Sequence, residues 1–116
     1  MVSKRKERIK VTPSGGNVFA DMGLPEPERE LTRVQLAALV ERTIKRRRLT
    51  QAEAAALMAI ERPKVSALLE GRLGGFSSDR LMRLLMRLGQ DIEITVKPRP
   101  RGRARGRIRL LVGARA

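Results

Sequence analysis

The sequence predicts an all-α domain of about four to five helices, built around a helix-turn-helix and followed by one C-terminal β-strand used for dimerisation. Three observations carry this expectation. Residues 49–72, LTQAEAAALMAIERPKVSALLEGR, read as two short helices joined by a tight turn. The segments on either side, about 28–48 and 77–88, place apolar residues at helical spacing. Residues 91–97, DIEITVK, alternate apolar and polar with period two, the pattern of a half-buried strand.

The central pair is fixed by local chemistry. Thr50 and Glu53 form an S/T-x-x-E capping box, in which the threonine oxygen accepts from the Glu53 amide and the glutamate accepts from the Thr50 amide. A helix therefore starts at about Gln51. Ala54, Ala55 and Met58 fall on one face of it, and the two alanines are small enough for a second helix to cross closely. The pattern breaks at Ala59-Ile60-Glu61. Arg62-Pro63 then opens a new helix, where proline sacrifices only an amide that would be unpaired anyway. Val65, Leu68 and Leu69 give this helix its buried side, and Gly71 stops it.

Such a pair also describes an ordinary helical hairpin. The groups left outside argue for a nucleic-acid role, because Arg62, Lys64, Ser66 and Ala67 are short or cationic and suit base edges and phosphates. Arg62 matches the two acceptors of guanine, Lys64 and Ser66 are further base readers, and Ala67 suits a thymine methyl. Gln51, at the start of the first motif helix, is placed to hold a phosphate together with the helix amides. Glu61 either accepts from cytosine or points outward. The candidate DNA-binding set is thus Gln51, Arg62, Pro63, Lys64, Ser66 and Ala67, with Arg48 and Arg72 flanking it.

This stretch resembles the xenobiotic-response-element and lambda-repressor type of helix-turn-helix, on Gln51, Ala55, Val65 and Leu68. A wider run from Ser14 to Arg99 is more specific. It takes in SGGNVFADMGLPEPE, LTQAEAAALMAI, PKVSALLEGRLGGFSSDRLMRLL and LGQDIEITVKPRP, and it resembles HigA-like antitoxins, which are found beside HigB or RelE-type toxins. The resemblance implies a lambda-repressor-like fold, an operator and a toxin partner. It departs from the family pattern at Ala59, where the turn normally holds glycine. A left-handed backbone there would be mildly strained by alanine.

The rest of the chain divides into a basic arm and linker at 1–17, the domain at 18–97 and an Arg-rich tail at 98–116. Residues 1–17 hold five basic residues against one acid, residues 18–96 thirteen against eleven, and residues 97–116 eight and no acid. The formal net charge of +14 is therefore carried mainly by the ends. In the arm, Ile9 and Val11 alternate with polar residues in a weak strand pattern. Val18, Phe19, Met22 and Leu24 form an apolar cluster that either caps the helical core or docks on a partner.

In the first long helix, Leu36, Val40 and Ile44 form one stripe and Leu31, Val34 and Ala38 a second, on nearly the opposite side. A surface helix needs only one, so the second implies contact with residues 18–24, another subunit or a toxin. The basic run Lys45 to Arg48 suits the negative end of the helix dipole and also phosphates. Ser77 is a cap for the last helix, and Phe76 with Leu81 fits a hydrophobic staple. This last helix is more apolar than one small core needs, which points to a buried interface. Its methionines read as core filler.

A lone strand at 91–97 leaves half its backbone groups unpaired. The simplest partner is the same strand of a second subunit, giving a homodimer with two recognition helices and a palindromic operator. The tail alternates Arg with Gly, Ala and Pro, a composition that builds no core and is disordered when free. Its spacing suits minor-groove or phosphate contacts, and Ile108 to Val112 forms an apolar island inside it.

With 116 residues, the chain has room for one core, which must be aliphatic because only 2% of residues are aromatic. There is no cysteine or histidine, so neither a thiolate metal site nor the commonest general base is available. No Gly-rich phosphate loop is present, and Gly74-Gly75 is only a linker signal. No enzyme activity, metal or cofactor is expected. The absence of a long apolar run points to a cytoplasmic protein without a membrane.

The leading expectation is a dimeric, sequence-specific repressor that binds the operator of its own operon and serves as the antitoxin of a type II pair. The alternatives are a stand-alone phage-type or chromosomal regulator and a non-specific basic nucleic-acid-binding protein. Low aromatic content counts against single-strand binding, which relies on stacking.

Overall fold

The computed structural model describes residues 26–102 and 104–113. The basic arm and the Val18–Leu24 cluster lie outside the described residues. Four helices lie among the described residues: α1 (Glu26–Arg46), α2 (Gln51–Met58), α3 (Arg62–Leu69) and α4 (Ser78–Arg87).

The α1 helix begins two residues earlier than its periodicity suggests, with Glu26 and Glu28 at its positive end and Lys45 and Arg46 at its negative end. The two stripes separate as expected. Leu36, Val40 and Ile44 are buried, whereas Leu31 and Val34 are 57% and 47% exposed. Helix α4 packs alongside α1, and arginines tie the two at each end. Arg33 Nη1 donates to the carbonyls of Leu73 (2.9 Å) and Phe76 (3.3 Å), just before α4. Arg47 Nη1 donates to the carbonyl of Leu88 (2.9 Å), just after it. The starts of α1 and α4 are therefore neighbours, and so are their ends. Helices α2 and α3 close the remaining side.

The core between them comprises buried Leu36, Val40, Ile44, Ala54, Met58, Val65, Leu68, Leu81, Leu84, Leu85 and Leu88, with Phe76 as its one aromatic member. Phe76 and Leu81 are both buried around the Ser77 cap, whose hydroxyl accepts from the Arg80 amide at 3.1 Å. That is the staple expected from the sequence. Met86 stays 52% exposed, so α4 does keep an apolar residue outside this core.

One expected element does not form in the single chain. Among the described residues there is no strand, and residues 91–97 form neither helix nor ladder. A strand is defined by backbone pairing, and among the described residues this segment has no ladder to join. Its apolar side is not half-buried either. Ile92 packs against the core, but Ile94 is 75% and Val96 91% exposed.

The described residues of the tail also form no helix or ladder, yet its apolar island meets the domain. The Ile108 amide donates to Glu28 Oε2 at 2.8 Å, Arg105 Nη2 donates to Glu28 Oε1 at 3.1 Å, and Leu110 packs against the core. The Ile108 amide and the Arg105 guanidinium together hold the Glu28 carboxyl below its ordinary range, with Arg107 adding to the field and burial opposing it.

Every helix ends in the same way. Arg48, Ala59, Gly71 and Gly89 have φ of 55°, 58°, 81° and 92°. In each case the following amide reaches back a full turn, as Leu49 does to Ile44, Ile60 to Ala55, Arg72 to Ala67 and Gln90 to Leu85. These are Schellman caps, and glycine is the residue that takes the left-handed conformation without penalty. Ala59, at φ 58° and ψ 43°, carries the strain anticipated for the motif's turn. Replacing Ala59 with glycine removes that strain. The substitution is expected to stabilise the fold by about 1 kcal/mol, less the entropy glycine returns to the unfolded chain. A thermal melt should show a midpoint higher by several degrees, and a lower midpoint would mean the alanine methyl makes a needed contact.

Candidate nucleic-acid interface

The site is built on the α2–α3 pair. The capping box is complete, with Glu53 N donating to Thr50 Oγ1 at 3.1 Å and Thr50 N to Glu53 Oε1 at 2.8 Å. It fixes the first turn of α2 and contributes about 1 kcal/mol. Ala54, Ala55 and Met58 are buried against Val65 and Leu68 of α3, so the expected close crossing over small residues is what forms. The crossing is pinned by one further bond, in which Ser66 Oγ donates to Gln51 Oε1 at 2.7 Å.

With Val65 and Leu68 turned inward, α3 presents its other side to solvent. Arg62, Pro63 and Lys64 are exposed, and Ser66 and Ala67 are half-buried. Among the described residues, the Arg62 side chain makes no hydrogen bond or ion pair. Lys64 leans over the loop after α3, its ammonium 3.7 Å from where a Cβ on Gly75 would stand. Glu61 is exposed at the N-cap and makes no side-chain cap bond.

The remaining candidates differ in how far they are committed. Gln51 and Ser66, expected to contact DNA separately, are bonded to each other. Ser66 keeps only part of its bonding capacity for a base, and Gln51 still has its amide nitrogen for a phosphate. Arg72 is paired with Glu70, so DNA would have to compete for it. In the basic run at the end of α1, Lys45 pairs with Glu41 at 2.9 Å, and Arg47 is used on Leu88. Arg48 is exposed in a left-handed conformation immediately before the α2 cap.

Sequence reasoning missed Arg33 and Arg47, which position α4 through carbonyl bonds. A signal existed for Arg33: it precedes Leu36 by three residues, so it sits on the buried stripe where a cation needs an internal partner. It also missed Arg80, whose guanidinium lies 5.2 Å from the Phe76 ring centroid and donates to the Gly75 carbonyl at 2.9 Å. These contacts stiffen the loop that follows α3. The described residues contain no group of carboxylates that could hold a metal ion, and no described helix is long and apolar enough to cross a membrane.

Two short helices crossing over alanines, with a cationic outer face on the second, define a helix-turn-helix module. The comparisons agree: residues 18–97 match a family of helix-turn-helix domains, and the chain belongs to that family. The chain is also similar to a solved structure entitled "Putative XRE Family Transcriptional Regulator", at 46% identity and a TM-score of 0.73. That match covers 77% of this chain and all of the other. No curated protein matches. The family is a class of DNA-binding modules, not of enzymes.

Arg48 offers a test of strain set against function. Arg48→Gly relieves a left-handed non-glycine residue and removes a cation beside the motif. The expected result is a fold more stable by about 1 kcal/mol whose DNA binding is weaker, with a salt slope shallower by roughly one phosphate contact. Unchanged DNA affinity would remove Arg48 from the interface.

Proposed function

We propose that this protein is a dimeric, sequence-specific transcriptional repressor and the antitoxin of a type II toxin–antitoxin pair. It would bind the operator of its own operon and neutralise a HigB/RelE-type ribonuclease toxin. The observation that carries the DNA-reading part is the α3 face, which is set by the Ser66–Gln51 bond and presents Arg62 and Lys64 outward from an otherwise apolar contact. Arg62 stands at the first residue of α3, and in this motif the N-terminal residues of the recognition helix reach base edges. The solved relative's title supports a role in transcription.

The dimer rests on Ile94 and Val96, both largely exposed and alternating with polar residues in a segment with no ladder in its own chain. Pairing two copies of residues 91–97 antiparallel would bury that row and satisfy its backbone. A two-fold pair of α3 helices would read half-sites about 34 Å apart, hence a palindrome. The antitoxin role, and with it the cytoplasmic setting, rests on the resemblance over residues 14–99 to HigA-like proteins. The exposed Leu31–Val34 stripe of α1 is the surface we assign to the toxin.

The testing experiment measures binding to the chain's own upstream DNA and to a scrambled duplex across a salt series. Preference for the upstream DNA should survive removal of the tail after Pro98, with a shallower salt slope. Arg62→Ala should lose about 1–3 kcal/mol on the operator and little on the scrambled duplex. Equal losses would make Arg62 a phosphate contact. If neither duplex is preferred, the repressor reading fails.

Dimerisation is tested separately. Ile94→Asp should convert a dimer to a monomer in sedimentation equilibrium without changing the helical signal. A monomer before the substitution would rule out the strand pairing.

A further inference from the structure

The tail lies beyond the family's region, which ends at residue 97, and it has an unusually regular pattern. From Arg99 to Arg109 every second residue is arginine. This row is not simply an arm extending away from the domain. Its second half returns to α1, where one carboxylate receives both a guanidinium and a backbone amide. Arg105 Nη2 and Ile108 N meet the two oxygens of Glu28 at 3.1 and 2.8 Å, and Leu110 anchors the segment against the core. The carboxylate is sheltered, at 17% side-chain exposure, while Arg105 remains 57% exposed.

A guanidinium beside a backbone N–H is a donor set that recognises phosphate as readily as carboxylate. Glu28 thus stands where a phosphate oxyanion would. Its place in the fold matters too. Arg33, bonded to the loop that leaves the recognition helix, is five residues further along α1, about 7.5 Å of rise. Five residues also turn about 140° around the helix, so the docked tail and that loop share the first half of α1 from different faces.

We propose that Arg105, Arg107 and Arg109 of the tail form a second contact element for the backbone phosphates of duplex DNA, and that Glu28 latches it in the DNA-free protein by occupying Arg105 and the Ile108 amide. DNA phosphate and Glu28 compete for the same donors, so the latch lowers generic affinity. The domain then depends more on the base contacts of α3, and a chain sampling random sequence is released sooner. The latch needs a charged Glu28, and the Ile108 amide and Arg105 that lower its ionisation range favour that form. Exposed Arg107 and Arg109 flank the latched groups and extend the cationic row. This inference rests on the DNA-binding reading of the motif, and it assigns the tail a role that the motif does not need.

The test compares the full chain, Glu28→Gln, the chain ended after Pro98, and that shortened chain carrying Glu28→Gln. Ending at Pro98 leaves the whole family region, and the solved relative is itself spanned by 77% of this chain, so the shortened protein is expected to fold. Binding is measured on a scrambled duplex and on the upstream DNA across a salt series. In the full chain, Glu28→Gln is expected to tighten binding to the scrambled duplex about two- to fivefold, the scale of one partly exposed ion pair, and to narrow the preference for upstream DNA. The shortened chain should show a much smaller gain.

Amide exchange at Ile108 should be slow in the full chain and fast in Glu28→Gln. An equal gain in both backgrounds means that Glu28 merely repels DNA, and the latch is overturned. The same salt slope with and without the tail overturns the phosphate contact. Loss of upstream preference in all four proteins is a different result, since it overturns the repressor reading itself.

Discussion

The close crossing of α2 over α3 is the constraint from which the interface follows. Ala54 and Ala55 leave the helices room to approach, and Val65 fills the space from the other side with no exposure at all. Burial of Met58, Val65 and Leu68 supplies the energy, at about 1.5–3 kcal/mol for each large side chain. The Ser66–Gln51 hydrogen bond is worth less, about 0.5–1.5 kcal/mol net. Packing therefore holds the pair together and the polar bond sets its register. Once that register is set, the side of α3 bearing Arg62 and Lys64 has nowhere to face but solvent. Larger residues at 54 or 55 would push the helices apart and break the bond that aligns them.

The four helix ends show where the fold accepts strain. All four use the same left-handed cap, but only two have glycine there. The non-glycine caps are Arg48 and Ala59, one on each side of α2. Each is a liability of about 1 kcal/mol, and together they are a noticeable fraction of the 5–15 kcal/mol typical of a domain. They persist because α2 is over-determined. A complete capping box fixes its start, the crossing fixes its face, and Leu49 and Ile60, the residues following the strained caps, both pack against the core. Strain at Arg48 also places a cation next to the first motif helix, which glycine could not do.

How much of this was legible in the sequence depended on the range of the interaction. The capping box at Thr50, the Ser77 cap with its Phe76–Leu81 staple, the glycine stops and the two stripes of α1 are written within a few residues of one another. All were read correctly. The bond between Gln51 and Ser66 spans fifteen residues and depends on the rotation of both helices. Composition and spacing only suggested that each residue was polar and near DNA. The Arg33 and Arg47 carbonyl bonds span about forty residues, and a basic residue on a helix carries no mark of a distant acceptor. The strand does not form here for a different reason. Period two in DIEITVK reports a preference for pairing, but a ladder requires a second strand, and the described residues offer none. The tail's dock on Glu28 was invisible because 77 residues separate Arg105 from its partner.

The distribution of charge gives these parts a common logic. Residues 18–96 are nearly balanced, with thirteen basic residues against eleven acids, so the domain has little general attraction for a polyanion. Several of its cations are moreover spoken for: Arg33 and Arg47 on carbonyls, Lys45, Arg72 and Arg83 on carboxylates. Among the described residues, Arg62 and Lys64 on α3 carry no such partner. If α3 reads DNA as proposed, a nearly neutral body with cations on that face favours sequence over mere phosphate density, because generic binding grows with the number of phosphates neutralised. The tail works in the opposite direction, since its arginines would bind any duplex equally. Both properties can exist in one chain without the second erasing the first only if the generic element is restrained when specificity is being decided. A single acidic group on α1 that holds one guanidinium and one amide is a restraint of suitable strength: enough to matter at the few-fold level, and weak enough for a row of phosphates to displace.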